Sequence, residues 1–144
     1  MNLTDLVGAV PPIHLRELED APFDITYIFP LKDFGAATWT EVIESPPGFR
    51  GKVRAITVYD VTEIFNADTT PANVQVGISG DTDAFAIGAS LGLLGVAASD
   101  SSALTDGATH IIEPSTTIHV TGIAPTGGTE TGIATTAVTI QYFK

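Results

Sequence analysis

Apolar and polar residues alternate with a period of two along most of this chain, the repeat that a strand with one buried face produces. In "FDITYIF" the residues Phe23, Ile25, Tyr27 and Phe29 fall on one face, because successive strand side chains point to opposite sides of a sheet. "NVQVGIS" sets Val74, Val76 and Ile78 against Asn73, Gln75, Gly77 and Ser79, and "TTIHVTG" sets Ile118 and Val120 against Thr117, His119 and Thr121. The closing "IATTAVTIQYF" places Ala134, Val138, Ile140 and Tyr142 on a buried face. Its opposite face carries Thr135, Thr139 and Gln141, polar but uncharged, and is the first place to look for a partner.

The run 52–65, "KVRAITVYDVTEIF", is longer and less regular. Its apolar residues lie first on the face of Ile56 and Val58, then on that of Tyr59, Val61 and Phe65, as a bulge or bend between two sheets produces. Further strands are expected over 38–43 and 109–112. Turn clusters separate the runs: "SPPGFRG", "NADTTPAN", "EPSTT" and "APTGGTETG". The one helical candidate is 13–20, where Leu15 and Leu18 give a partial stripe that Pro22 stops.

Six to eight short strands with one apolar face each predict an all-β domain over residues 21–144, an antiparallel two-sheet sandwich that is jelly-roll-like. Residues 1–20, with Pro11 and Pro12, are expected to form an extended N-terminal arm. The small-residue stretch 88–107 reads as a long loop packed over a sandwich edge or ordered by a partner.

Composition narrows the function classes. The chain has 144 residues, no cysteine, and 17 acidic residues against 6 basic ones, a net charge of −11. One domain of this size buries roughly two-thirds of its unfolded surface and needs no disulfide. The acidic surface repels phosphate and anionic lipid, so neither nucleic acid nor membrane is an expected partner. The start "MNLTDLVGAVPPIHL" has no cationic segment ahead of a sustained apolar one, and the protein is expected to be made in the cytosol.

Candidate chemistry adds little. Gly88-Ala89-Ser90-Leu91-Gly92 matches the G-x-S-x-G nucleophile elbow, with Asp106 and then His110 or His119 in hydrolase order. That elbow stands where a parallel strand turns into a helix, and "LGLLGVAAS" with no crossover helices supplies neither, so the match reads as chance in a glycine-rich segment. Asp81, Asp83, Asp100 and Asp106 offer oxygen ligands to calcium but lack the glycine and glutamate of a calcium loop, and read as solvated turn aspartates. His14, His110 and His119 share no ligand spacing. Trp39, Tyr27, Tyr59 and Tyr142 suggest sugar stacking, but their place in alternating strands favours packing. No catalytic, cofactor-binding or metal-binding residue is assigned, no cofactor is expected, and the chain does not read as an enzyme.

Three segments carry a resemblance. "PPGFRGKVRAITVYDVTEIF", "TPANVQVGISGDTDAFA" and "APTGGTETGIATTAVTIQYF", spanning roughly 46–143, resemble small β-sandwich virion proteins of tailed bacteriophages of the capsid decoration, cement or head-fibre type. The resemblance implies a structural protein that binds the major capsid protein on the outer capsid surface. It also implies self-association, commonly as a homotrimer, and shell stabilisation through protein contacts. The alternative within the same setting is a receptor- or glycan-binding module of a phage fibre or tail.

Overall fold

The computed structural model describes residues 21–66, 69–88, 90–92, 94–96, 111–144 and the backbone of 100–102. The expected arm 1–20, its helical candidate and residues 109–110 lie outside these. Eight strands run in order: β1 (Phe23–Asp33), β2 (Trp39–Glu44), β3 (Arg50–Glu63), β4 (Asn73–Ile78), β5 (Asp81–Ile87), β6 (Asp100–Ser102), β7 (Thr117–Ile123) and β8 (Ile133–Phe143). They form two four-stranded sheets, β1-β8-β3-β6 (sheet 1) and β2-β7-β4-β5 (sheet 2), and every pairing is antiparallel.

The pairs β1·β8, β2·β7, β3·β6 and β4·β5 nest like the rungs of one long hairpin that turns at Ser79-Gly80. Rolling that ribbon brings β8 against β3 and β7 against β4, which is the strand order of a jelly roll. The all-β, jelly-roll-like sandwich predicted from the alternation is therefore the observed fold.

Alternation holds the two sheets together. Sheet 1 contributes Val53, Ile56, Val58, Val138, Ile140 and Tyr142 to the interior, and sheet 2 contributes Ile43, Val74, Val76, Ile118 and Val120, all buried. Each such side chain stabilises the fold by about 1.5–3 kcal/mol relative to exposure. Connecting segments plug the ends: Phe34, Phe65, Leu91 and Ile112 are buried although none lies in a strand.

Several details differ from the sequence reading, each for a local reason. Ile78, expected inward beside Val74 and Val76, is exposed because the β4–β5 ladder slips between Val76 and Ile78. Gly77 sits in that slip, where a Cβ would strike the Asp81 carbonyl. The irregularity expected in β3 is real and double, with register shifts at Val53/Ala55 and Tyr59/Glu63 and a positive φ of 53° at Asp60. The strand stays in sheet 1, however, and Tyr59 pairs outward with Thr135 instead of joining Val61 in the core. Of the strand expected over 109–112, Ile112 makes a bridge to Gly51, and residues 109–110 lie outside the described residues. The stretch read as a loop over 88–107 contains β6, which β3 holds through Ile56, Thr57 and Val58.

Candidate interaction surface

The outward face of sheet 1 is built in rows by the register of its three long strands. Asp24, Gln141 and Lys52 form one row, Thr26, Thr139 and Ala55 the next, and Ile28, Ala137 and Thr57 a third. The Thr26 and Thr139 hydroxyls bond at 2.8 Å, so part of the polar floor is satisfied within the sheet. Ala137 is small between Ile28 and Thr57, which leaves the middle of the face shallow. Ile28 and Leu31 stand 57% and 53% exposed along the β1 margin.

The threonine face predicted on β8 divides in two. Thr139 and Gln141 lie half-buried on the outer surface, whereas Thr135 is only 4% exposed and accepts the Leu31 N–H at 3.2 Å. The β1 bulge between Phe29 and Lys32, with Leu31 at a φ of 43°, folds the chain over Thr135 and removes it from any partner. Thr136, on the alternate side, is fully buried in the core.

One charge feature of this face went unread in the sequence. Arg50, Lys52 and Arg54 are exposed at the start of β3, in or beside the row of Asp24, while the acids Asp33 and Glu63 flank Ile133 at the far end of the face. Strand alternation sets Arg50 and Lys52 on one side, and Arg54 is the extra residue of the Val53/Ala55 bulge. The spacing in "RGKVR" carries this signal, but the net charge of −11 drew attention to acid alone.

Comparison of the chain with protein families, with curated proteins and with solved structures finds no match. Its site chemistry therefore rests on geometry.

The aromatic residues pack. The Trp39 indole lies directly on Gly122, edge to face with Phe34 at 5.3 Å, and its Nε1 is buried. Lys32 covers the same ring at 5.5 Å while pairing with Glu41. Tyr142 is fully buried and its hydroxyl bonds that of Tyr27 at 2.7 Å; burial and this bond push the Tyr142 phenol above its ordinary value. Tyr27 and Tyr59 are half-buried. No pair of exposed tyrosine or tryptophan faces is offered to a sugar by the described residues.

Among the described residues no catalytic geometry assembles around Ser90. Beyond β5 the chain is pinned by Gly88 N–H to the Val74 carbonyl (2.7 Å) and Leu91 N–H to the Ala72 carbonyl (2.9 Å), with Ser90 exposed between. The described strands are all antiparallel, so the strand-to-helix elbow has no frame here. His119 points outward from sheet 2 opposite Val42, as its neighbours predict. Asp106, His110 and His14 lie outside the described residues.

Asp81 and Asp83 open β5 side by side. Their mutual hydrogen bond, followed by partial desolvation and like charge, raises the Asp81 carboxyl above its ordinary value. No cluster of three or more His, Asp or Glu side chains suited to a metal occurs among the described residues. No helix among them is long and apolar enough to cross a membrane.

Proposed function

We propose that this chain is a structural protein of a tailed-phage virion that binds the outside of the capsid as a decoration or cement protein. The observation that carries the reading is the contrast between a chain of net charge −11 and the two middle rows of the sheet 1 face, Thr26-Thr139-Ala55 and Ile28-Ala137-Thr57, which hold no charged residue. An uncharged patch of β-surface such as these two rows excludes water against another protein without burying unpaired charge. The resemblance of residues 46–143 to phage decoration proteins and the closed jelly-roll order support the same reading. In this proposal the major capsid protein is the partner, and self-association as a trimer sets the geometry of attachment. A glycan-binding role draws no support from the rings, which are spent on packing.

The test is attachment to particles that lack the protein. Purified chain is expected to co-sediment with such particles and to raise the temperature at which they open. Absence of both effects would remove the reading. Deletion of residues 1–20 is expected to abolish attachment while circular dichroism still reports the folded sandwich.

A further inference from the structure

We propose that Arg50, Lys52 and Arg54 form the anchoring edge of a docking site for an acidic protein surface. The inference concerns the chemistry of the partner and holds whether or not that partner is a capsid.

The chain has 6 basic residues. Lys32 is spent on Glu41, in the one ion pair among the described residues, and Arg16 lies outside them. The other four, Arg50, Lys52, Arg54 and Lys144, gather where β3 begins and β8 ends. Arg50 stacks over Phe143 at 5.1 Å and donates to the Lys144 carbonyl at 3.5 Å, and the Lys144 ammonium sits over Phe49 at 5.3 Å. Stacking on Phe143 holds the Arg50 guanidinium in place. Lys52 and Arg54 are exposed, and no carboxylate lies within ion-pair reach of either among the described residues.

With 17 acidic residues in the chain, three cations close together on one strand, with no side-chain carboxylate paired to them among the described residues, are the opposite of what a random surface distribution supplies. Arg50 and Lys52 stand about 7 Å apart on one side of β3, and a guanidinium takes a carboxylate with two parallel N–H bonds. Complementary charge at the rim of an interface sets register and speeds encounter, while the adjoining Thr26, Thr139, Ala55 and Ile28 surface supplies the contact area. A nucleic acid is disfavoured as occupant. Three cations neutralise few phosphates, and the net charge of −11 repels the rest of a polyanion.

The experiment measures retention of the full chain on a poly-L-glutamate sensor surface at pH 7, with a polyphosphate surface in parallel. An acidic protein without such an edge has no reason to be retained by glutamate. Wild type is expected to bind at about 25 mM NaCl and to be released by about 0.5 M, where charges farther apart than a few ångströms are screened. The triple variant Arg50→Gln/Lys52→Gln/Arg54→Gln is expected to bind on the order of tenfold more weakly or worse, and Lys32→Gln to bind as wild type does. Lys52→Gln and Arg54→Gln singly remove no hydrogen bond or ion pair among the described residues, so a smaller loss in each, with an unchanged thermal melt, keeps the test valid should the triple variant misfold. No retention of folded wild type, or retention that the variants do not reduce, overturns the proposal. Equal or stronger retention on polyphosphate overturns it in favour of a general polyanion site.

Discussion

The two ends of the sandwich use the same ring geometry for different purposes. At the end where β1 finishes and β8 begins, Phe34 meets Phe65 at 5.2 Å and Trp39 at 5.3 Å, each edge to face. At the opposite end Phe23 meets Phe49 at the same 5.2 Å and edge-to-face tilt. The first cluster is closed: Phe34 and Phe65 are buried, and their neighbours Gly122 and Gly132 have no Cβ because indole and phenyl rings occupy that space. The second is open: Phe23 is 38% exposed and the rim carries Arg50 and Lys144 on aromatic faces. Ring contact alone therefore does not set the energy. Removal from water does, and the open end keeps its rings as supports for cations.

The sharpest way to break this comparison is truncation at both ends. Phe34→Ala is expected to cost about 3–5 kcal/mol, because it leaves a cavity that surrounding strands cannot collapse. Phe23→Ala is expected to cost about 1 kcal/mol, since water already reaches the ring and refills the space. Urea unfolding midpoints of the two variants measure the difference, and equal losses would refute it.

The glycine seat under Trp39 gives the next effect. Gly122→Ala places a methyl where the indole lies, which is expected to cost about 1–3 kcal/mol by forcing ring and strand apart. Trp39→Phe should relieve part of that loss, so the double variant is less destabilised than the sum of the singles. Strict additivity in a double-mutant cycle would show that the two residues do not share the space.

The smallest effect at neutral pH, and the one with a sign, belongs to Tyr142 at the root of the open end. Its phenol is raised in the folded protein above the ordinary value of 10.0. The folded state thus holds the proton after the unfolded chain has lost it. This contribution is full below pH 10.0 and is lost as pH climbs above it. Tyr142→Phe is expected to cost about 1 kcal/mol at pH 7, through the lost hydrogen bond to Tyr27. The variant should show a shallower fall in melting temperature between pH 9 and 11 than wild type, and parallel falls would assign alkaline sensitivity elsewhere.

How far the sequence could be read depended on whether a strand's own residues or its neighbours define it. β7 was legible because Ile118 and Val120 alternate with Thr117, His119 and Thr121, and Ile118 and Val120 are buried as that pattern demands, although Thr121 on the other face is buried as well. β5 was missed because its more buried face, Thr82, Ala84 and Ala86, is only weakly apolar; its identity comes from pairing with β4 across the two-residue turn Ser79-Gly80. That turn, between two short alternating runs, was the signal available. β6 had none, since three residues in a run of small side chains become a strand only because β3 offers an edge. On β8 the alternation placed Val138, Ile140 and Tyr142 correctly but could not foresee that a bulge in another strand, β1, would seal Thr135. The cationic edge was present as letters and became a surface only once the bulge at Val53/Ala55 exposed Arg54 next to the Lys52 row.

The place of β8 also has a consequence for when the protein comes into being. It lies between β1 and β3 and is their shared neighbour in sheet 1, with Tyr142 bonded to Tyr27 across 115 positions of chain. While residues 133–143 are still inside a ribosome, β1 has been made for more than a hundred residues yet has no strand to pair with. Sheet 1 therefore assembles only after this last strand emerges, at the slow end of folding rates that non-local pairing imposes, and until then the nascent chain displays Ile25, Tyr27 and Phe29 to whatever holds it.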